Sequence, residues 1–546
     1  MMSKLIKVIA REEIAKLNPY AARGAALENV LQLDANESPW SAPGSQVLLN
    51  RYPAQQPEAL VSRMAALYGV SSDKILLCRG ADEGIDLLLR ATCGAGKDAV
   101  IITPPTFGFY AVAAKIQGAN IINVPLGKEF ELPVNAIIDA AKSNPVKLIF
   151  LCSPNNPTGS VIQREEILKI AAACPRQLII VDEAYVEFAY KPSLSADISA
   201  TENLVILRTL SKAYSLAAAR LGTVLANAPI IELLRKVLPP YPLATPVIDE
   251  VKRALSSVNM AIFAERIARL KSERERVFAA LVRSEFIEQI WPSEANFLLV
   301  KLRHDTDINR RLQQCSIQLR DFSNLDAGMV RISVGSQEQN NVLLAAFAVA
   351  PEAIDSVRSA VISRQTKETQ ISVMVDLEEV EPVQIDTGIG FFDHMLEQIA
   401  RHGGFSLVLN AKGDLHIDDH HTVEDCAIVL GQALFEALGD RAGIGRYGFT
   451  LPMDEAQARV AIDLSGRAAF RFTAEIPEAG VSEFSSQMVS HFFETLSQQL
   501  KAAIHIEAEG KNTHHIIEAI FKGFGRALRP ALNRQGRVIP SSKGSL

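Results

Sequence analysis

The stretch His420-His421-Thr422-Val423-Glu424 occurs a second time near the C-terminus, as His514-His515-Ile516-Ile517-Glu518. If each copy is helical, its first histidine and its glutamate lie one turn apart on one face, while the second histidine points about 100° away. One helix therefore offers ligands in two directions. The repeat predicts a metal-binding domain that is built from two related halves.

A further histidine precedes each copy in a similar setting. These are His394, within residues 391–397, and His491, within residues 490–496. Nine of the ten histidines lie in the last third of the chain, and only His304 lies elsewhere. A single histidine is more often a solvated or core residue than a ligand, but this clustering favours a metal site. Imidazole and carboxylate ligands without clustered cysteine suit Mn, Fe, Co, Ni or Zn and do not choose among them.

Length and composition predict several domains and a reducing compartment. A chain of 546 residues exceeds one ordinary core, so we expect two to four domains. The net charge of -6 gives no reason to expect nucleic acid or a membrane surface as a partner, and no long apolar run could span a bilayer. The N-terminus lacks the core of a signal peptide, and the six cysteines show no paired spacing. We therefore expect a cytoplasmic protein.

Short apolar runs alternate with helical patterns between about residues 30 and 245. Strands of this kind, buried on both faces, predict the α/β class with a mostly parallel sheet covered by helices. Polar residues follow several of the runs, at the carboxyl ends of the predicted strands. Ligands of open α/β sheets bind at these ends. The runs are residues 74–78, 99–102, 147–151, 178–181 and 204–207.

The polar residues at these strand ends are those that a pyridoxal-phosphate enzyme requires. Lys212 would form the Schiff base, and Asp182 would keep the pyridine nitrogen protonated. Hydroxyls beside the lysine, together with Arg220, would hold the phosphate. The turn at residues 79–84 opens a helix whose free N–H groups suit a phosphate as well, and the turn at residues 153–159 carries asparagines that can reach a ligand.

With these residues in place, positions 5 to about 350 resemble the fold-type I aminotransferases, and more narrowly the histidinol-phosphate aminotransferases. The motifs that carry the resemblance are Asn18-Pro19-Tyr20, Leu33-Asp34-Ala35-Asn36-Glu37-Ser38-Pro39, Arg51-Tyr52-Pro53 and Arg331-Ile332-Ser333-Val334-Gly335. The resemblance implies a large domain at about 30–245 and a small α/β domain from 1–30 plus 245–350. The pattern ends there, and we expect a linker at 351–358.

The resemblance also implies a set of residues around pyridoxal phosphate. Tyr52 would reach the phosphate of a neighbouring subunit, which implies a dimer. Phe107 stands where the family often has tyrosine, so ring stacking is kept and the phenol oxygen is lost. The implied cofactor-binding residues are Ala81, Asp82, Phe107, Asn156, Asp182, Tyr185, Thr209, Ser211, Lys212, Arg220 and Tyr52.

Three further residues are implied in binding the substrates of this domain. Arg331 would bind the carboxylate of glutamate. Arg320 and Tyr20 are the candidates for the substrate phosphate.

One apparent motif in the C-terminal third is discounted. Gly443-Ile444-Gly445-Arg446-Tyr447-Gly448 spells the glycine pattern of dinucleotide-binding folds, but it follows a helical pattern instead of a strand. The repeated His-His-x-x-Glu also differs from the His-Glu-x-x-His of metalloproteases, which argues against peptide hydrolysis.

Residues 359–546 resemble imidazoleglycerol-phosphate dehydratase. The motifs are Lys367-Glu368-Thr369, residues 390–396, both His-His-x-x-Glu copies, and Pro540-Ser541-Ser542-Lys543-Gly544. The resemblance implies an α+β domain made from a duplicated half, with two Mn²⁺ per domain and sites completed across a shell of up to 24 subunits. The implied metal ligands are His394, His420, His421, Glu424, His491, His514, His515 and Glu518.

The dehydratase resemblance implies further residues that bind the substrate or exchange protons with it. Glu368 is the candidate general acid and base, because the reaction must remove a weakly acidic carbon-bound proton. The implied substrate-binding residues are Glu368, His402, Arg446, Arg467, Ser541 and Lys543.

Together the two resemblances imply consecutive steps of histidine biosynthesis. The dehydratase makes imidazole-acetol phosphate from imidazoleglycerol phosphate, and the aminotransferase consumes that ketone with glutamate. Two alternatives stay open from the residues alone. The first part could decarboxylate a phosphorylated amino acid, and the last third could be a catalytically silent scaffold that stores metal.

Overall fold

The computed structural model describes residues 4–18, 33–44, 49–303, 306–349, 358–439, 441, 443–449, 455–476 and 480–534. It divides into two compact units. The first comprises Met1–Ser256 and Glu265–Glu352, and the second comprises Ser257–Ala264 and Ala353–Leu546. Of the expected linker at 351–358, only Arg358 is among the described residues. None of the helices that the structure describes combines the length and apolar character that crossing a bilayer requires.

The first unit is organised around a sheet of seven described strands in the order β1-β7-β6-β5-β4-β2-β3. It is parallel except at β7, which runs antiparallel to both of its neighbours. The central strands are buried along nearly their whole length, which is why they read as continuous apolar runs. This confirms the predicted α/β class. The strands are β1 Ile75–Cys78, β2 Ala99–Ile102, β3 Asn120–Asn123, β4 Val146–Cys152, β5 Leu178–Asp182, β6 Leu204–Thr209 and β7 Gly222–Ala226.

Helices surround this sheet and lead on to a smaller subdomain. The helices are α1 Lys4–Ile9, α2 Glu12–Lys16, α3 Glu58–Tyr68, α4 Gly80–Thr92, α5 Phe109–Gln117, α6 Val134–Ser143, α7 Arg164–Ala173, α8 Ala228–Arg235 and α9 Thr245–Ala254. They are followed by α10 Ser257–Leu281, which belongs to this unit from Glu265 onward. The subdomain has an antiparallel sheet in the order β10-β11-β9-β8. Its elements are β8 Ile287–Ile290, β9 Phe297–Leu302, α11 Thr306–Gln314, β10 Arg320–Asp321, β11 Met329–Ser333 and α12 Gln337–Ala346.

The second unit contains two sheets of the same design. Their orders are β12-β13-β15-β14 and β16-β17-β21-β18, and in each the last strand is parallel to its neighbour while the others are antiparallel. The first-half elements are β12 Ser359–Gln365, β13 Gln370–Asp376, β14 Val383–Asp386, α13 Gly390–Gly403, β15 Ser406–Lys412 and α14 His420–Leu438. The second-half elements are β16 Tyr447–Phe449, β17 Gln457–Asp463, β18 Ala469–Ala474, β19 Gly480–Val481, β20 Phe484–Ser485, α15 Gln487–Leu500, β21 Ala503–Glu509 and α16 Thr513–Leu532.

The four helices of this unit pack across the two halves. α14 lies against α15, and α13 lies against α16. Aromatic side chains join the two halves: the ring centroids of Phe392 on α13 and Phe492 on α15 are 5.5 Å apart. Both halves therefore share one hydrophobic core, and each helix pair brings residues from one half beside residues from the other.

Candidate active sites

A cavity of about 190 Å³ lies at the carboxyl ends of β4, β5 and β6. Every predicted cofactor-binding residue except Tyr52 lines it. The lining residues are Ala81, Asp82, Phe107, Cys152, Asn156, Asp182, Ala184, Tyr185, Thr209, Ser211, Lys212, Ala217 and Arg220. Tyr52 is an exposed residue that stacks on Tyr241, with ring centroids 4.4 Å apart.

Asp182 ends β5 at the buried side of this cavity. The Tyr110 hydroxyl donates a 2.6 Å hydrogen bond to Asp182 Oδ2, and the Ala184 N–H donates to Oδ1 at 3.1 Å. Burial raises the pKa of Asp182, and the hydrogen bond from Tyr110 offsets part of that rise. This role of Tyr110 was not predicted, because a tyrosine in an amphipathic helix is typical of a core residue. It is fully buried on α5 and stacks on Phe150 at 4.9 Å.

Lys212 follows β6 and enters the cavity from the other side. Its ammonium group lies 5.6 Å from the centre of the Tyr185 ring. Burial lowers the pKa of Lys212, and the positive charge of Arg331 lowers it further. A lowered pKa increases the fraction of neutral amine, which is the form that attacks a carbonyl carbon.

The first turn of α4 forms the anion-binding end of the cavity. Gly80 has φ +75°, a left-handed backbone conformation that favours glycine, and the Arg220 guanidinium packs closely against it. Arg220 Nη2 is 2.8 Å from Asp82 Oδ2, and the hydroxyls of Thr209 and Ser211 are 2.9 Å apart beside it. A helix N-terminus, a guanidinium and two hydroxyls are the groups that bind a phosphate. This donor set, with the buried Asp182 and Lys212, fits pyridoxal phosphate.

Arg331 and Arg320 line a second cavity, of about 520 Å³, in the small subdomain. They face each other directly across the antiparallel pair β11 and β10. The Arg331 guanidinium donates to Asn156 Oδ1, whereas its buried Nε has no hydrogen-bond partner among the described residues. Like charges placed opposite each other are unfavourable unless an anion lies between them. The pair therefore favours an anionic substrate. Tyr20 lies outside the described residues.

In the second unit, His420 and Glu424 of α14 meet His491 of α15. Their ligand atoms lie within 4.8 Å of one another. His420 Nε2 is 3.8 Å from Glu424 Oε2, and His491 Nε2 is 3.7 Å from Oε1 of the same carboxylate. His491 Nε2 is buried without a hydrogen-bond partner in the described part of the chain. Two imidazoles and one carboxylate with such an orphaned nitrogen fit a divalent transition metal that keeps open positions.

A corresponding cluster joins α13 to α16. His394 Nε2 and His514 Nε2 lie 3.6 Å and 3.5 Å from the two oxygens of Glu518. Here Lys522 Nζ also contacts Glu518 Oε1, at 2.8 Å. Lys522 was not a predicted site residue, because a lysine four residues after a glutamate is an ordinary surface pair on a helix. The first cluster has Ile428 at the corresponding position.

The second histidine of each pair lies away from these clusters. His421 Nδ1 is 3.1 Å from Asp414 Oδ2, and His515 Nδ1 is 2.8 Å from Glu455 Oε2. A carboxylate on one ring nitrogen orients the other nitrogen of a metal-binding histidine. Each helix therefore presents ligands in two directions. Neither Asp414 nor Glu455 was predicted, because Asp414 lies in the loop before α14 and Glu455 is 60 residues from His515 in sequence.

Glu368 lies in the exposed turn between β12 and β13, on the side of His421. The hydrogen bond with Asp414 raises the pKa of His421, and the negative charge of Glu368 raises it further. The structure thus brings Glu368 toward His421, which points away from the two histidine–glutamate clusters, and not toward the clusters themselves.

The other predicted substrate-binding residues are spread over the second unit. His402 lies on α13, where burial lowers its pKa and the charges of Lys522 and Arg526 lower it further. Arg446 has φ +63°, pairs with Asp463 at 2.6 Å and donates its N–H to the carbonyl of Ala531. Arg467 is exposed between β17 and β18. Ser541 and Lys543 lie outside the described residues.

The position of Arg446 separates it from the metal ligands of its own chain. Ala531, which it contacts, lies seventeen residues after His514 on α16, or about 25 Å at 1.5 Å per residue. Arg446 is therefore far from the His514 end of α16, where the cluster with Glu518 lies.

Comparison with known proteins identifies the two parts of the chain. The family model for aminotransferase class I and II matches residues 16–347, and that for imidazoleglycerol-phosphate dehydratase matches residues 387–528. A histidinol-phosphate aminotransferase from Xanthomonas euvesicatoria pv. vesicatoria (strain 85-10) is 41% identical over 362 residues, covering 65% of this chain and 100% of that protein. One from Stenotrophomonas maltophilia (strain R551-3) is 42% identical over 350 residues, covering 63% and 96%.

A solved structure supports the fold of the first unit. The crystal structure of the histidinol-phosphate aminotransferase from Clostridium acetobutylicum has a TM-score of 0.50 at 24% identity, covering 55% of this chain and 90% of that chain. Both resemblances drawn from the motifs are confirmed. The chain belongs to the aminotransferase class I and II family and, with its imidazoleglycerol-phosphate dehydratase domain, is a bifunctional enzyme of histidine biosynthesis.

Proposed function

We propose that the second unit dehydrates imidazoleglycerol phosphate to imidazole-acetol phosphate, and that the first unit transfers the amino group of glutamate to this ketone. The products of the second step are histidinol phosphate and 2-oxoglutarate. The observation that carries the proposal is the presence, in one chain, of the lysine cavity and of the two histidine–glutamate clusters. The ketone that one site releases is the substrate of the other.

In the first unit, each side chain has a task that follows from its position. Pyridoxal phosphate, when bound, supplies an electron sink for the carbon that loses its proton. Lys212 would hold the cofactor through its amine and would carry the proton. Asp182, which accepts a hydrogen bond from Tyr110, would bind the pyridine nitrogen, and the α4 N-terminus with Arg220 would bind the phosphate. Arg331 and Arg320 hold the anionic groups of the substrates, glutamate and the phosphorylated ketone.

In the second unit, the clusters would hold two manganese ions per domain. Manganese, when bound, polarises the imidazole ring of the substrate and favours departure of the hydroxyl group. Glu368 exchanges the proton at the side chain. Arg446, Arg467, Ser541 and Lys543 bind the phosphate. His402 lies beside Lys522 at the edge of the cluster on α16 and contacts the substrate from there.

The dehydratase sites are completed between copies of the chain. The outward His421 and His515 already have an orienting carboxylate and can bind a metal that a neighbouring copy shares. The distance of Arg446 from the cluster on α16 of its own chain supports the same conclusion. We propose a closed shell of up to 24 subunits for the dehydratase, and an aminotransferase dimer in which Tyr52 reaches the partner's cofactor. All six cysteines are free thiols, which suits the cytoplasm.

Two single variants test the proposal, and each is the control for the other. Lys212→Ala should abolish the release of 2-oxoglutarate from glutamate and imidazole-acetol phosphate but leave the dehydration rate unchanged. His420→Ala should abolish dehydration of imidazoleglycerol phosphate with added Mn²⁺ but leave transamination unchanged. Decarboxylation of a phosphorylated amino acid by the wild-type protein, without 2-oxoglutarate, would refute the first assignment. Bound manganese without dehydration would refute the second and leave a metal-storing scaffold.

A further inference from the structure

Asp425 follows the predicted metal ligand Glu424 on α14 but contacts a different part of the second unit. Its side chain is buried, and the residue is 8% exposed. The carboxylate accepts one hydrogen bond from the Thr369 hydroxyl and another, of 2.8 Å, from Arg364 Nε. Both donors belong to the hairpin formed by β12 and β13. Asp425 therefore fastens this hairpin to α14.

The hydrogen bonds continue from Thr369 to Glu368. The hydroxyls of Thr369 and Thr366 are 3.1 Å apart. Thr366 Oγ1 also accepts from the N–H groups of Glu368 and Thr369, at 3.1 Å and 2.9 Å. An unbroken path thus runs from α14 through Asp425, Thr369 and Thr366 to the backbone of Glu368.

The second half of the unit provides an internal comparison of the hairpins. Gln370 and Gln457 begin the seven-residue strands β13 and β17, which pair with β15 and β21 in the same register. The residue before each is Thr369 in the first half and Ala456 in the second. Glu455 is therefore the counterpart of Glu368.

The helices give the matching comparison for Asp425. When Glu424 is aligned with Glu518, Ala519 is the second-half counterpart of Asp425. Ala456 and Ala519 are 1% and 2% exposed, so the second half buries alanine at both positions. A buried carboxylate and hydroxyl are costly unless they are paired. The same fold forms without them, which indicates that they serve something other than folding.

We propose that Asp425 is a positioning residue that fixes Glu368 for proton exchange during dehydration, an inference that rests on the proposed function of the second unit. A residue that transfers protons must be held within hydrogen-bonding distance of the reacting atom, and small displacements are costly. The counterpart Glu455 binds His515 Nδ1 directly, at 2.8 Å. It therefore needs no such support.

A double-mutant cycle tests the proposal in the full-length protein loaded with Mn²⁺ and pyridoxal phosphate. The pair Thr369→Ala and Asp425→Ala reproduces the residues of the second half. We expect kcat for dehydration to fall at least tenfold, KM to change less than twofold, and the manganese content and transamination rate to stay at wild-type levels. In a Glu368→Gln background the same pair should cause no further loss, because its effect passes through Glu368.

Each of the other outcomes contradicts either the role of Asp425 or the proposed function of the second unit. An equal loss in both backgrounds means that Asp425 does not act through Glu368. If manganese is lost in proportion to activity, Asp425 supports Glu424 or the fold and does not position Glu368. A double variant whose second unit is unfolded leads to the same conclusion. Wild-type dehydration by Glu368→Gln alone also refutes the inference. Absence of dehydration in the wild-type protein refutes instead the proposed function on which the inference rests.

Discussion

His491 Nε2 lies 3.7 Å from Glu424 Oε1, although the two residues belong to different halves of the duplicated unit. The other cluster also pairs residues from different halves: His394 Nε2 lies 3.6 Å from Glu518 Oε1. Each cluster therefore takes a histidine and a glutamate from one repeat and its remaining histidine from the other. Neither half could hold an inward metal site without its partner.

This exchange predicts how metal is lost from variants. His491→Ala removes one imidazole from the cluster on α14 and leaves the cluster on α16 unchanged. We expect the bound manganese to fall by about one ion per chain, and His394→Ala to cause the same loss from the other cluster. Elemental analysis after dialysis measures the content. His505→Ala, which changes an exposed side chain on β21, is the control and should bind as the wild type does. Loss of both ions from either single variant would mean that the clusters do not bind independently.

The hydrogen bond between Tyr110 and Asp182 predicts weaker cofactor binding when it is removed. Tyr110→Phe keeps the ring that stacks on Phe150 but removes the donor. A hydrogen bond to a charged group contributes about 1.5–3 kcal/mol, so the Kd of pyridoxal phosphate should rise about tenfold or more. Absorbance titration of the cofactor-free protein measures this. Tyr190→Phe, whose hydroxyl bonds Glu275 at the surface, is the matched control. An unchanged Kd in Tyr110→Phe would show that Asp182 is held without it.

The lowered pKa of Lys212 predicts the pH dependence of cofactor uptake. Burial and the charge of Arg331 disfavour the ammonium form, so neutral amine accumulates below the ordinary lysine pKa of 10.5. The rate of reconstitution with pyridoxal phosphate should therefore rise with pH and level off below that value. Arg331→Gln removes one cause and should move the plateau to higher pH. Stopped-flow absorbance follows the reaction. A profile unmoved by this substitution would contradict the assigned cause.

The facing pair of Arg320 and Arg331 predicts a loss of substrate affinity. Arg320→Gln should raise KM for imidazole-acetol phosphate about tenfold or more, because one charged hydrogen bond is lost, and should change kcat much less. The effect should shrink at high salt, as interactions between exposed charges do. Steady-state kinetics with Arg303→Gln as the exposed control in the same subdomain test this. A fall in kcat without a rise in KM would show that Arg320 does not bind the substrate.

The sequence predicted those features that repeat at short range. Apolar runs predicted the parallel sheet, and polar residues at strand ends predicted the cavity, because carboxyl ends of parallel strands meet at one edge. The helical spacing of His420 and Glu424 predicted a shared face and a divergent His421.

Features that depend on packing between distant segments were not predictable. The pairing of α14 with α15 decides which histidine joins which glutamate, and no spacing encodes it. Tyr110, Asp414 and Glu455 act through contacts that only the folded chain reveals. Their sequence neighbourhoods are those of ordinary core or surface residues.

The most direct test of the account is one incubation of the wild-type chain with imidazoleglycerol phosphate, glutamate, pyridoxal phosphate and Mn²⁺. We expect histidinol phosphate and 2-oxoglutarate in equal amounts, with transient imidazole-acetol phosphate. Consumption of imidazoleglycerol phosphate without 2-oxoglutarate, or no consumption at all, would contradict two catalytic units acting in series.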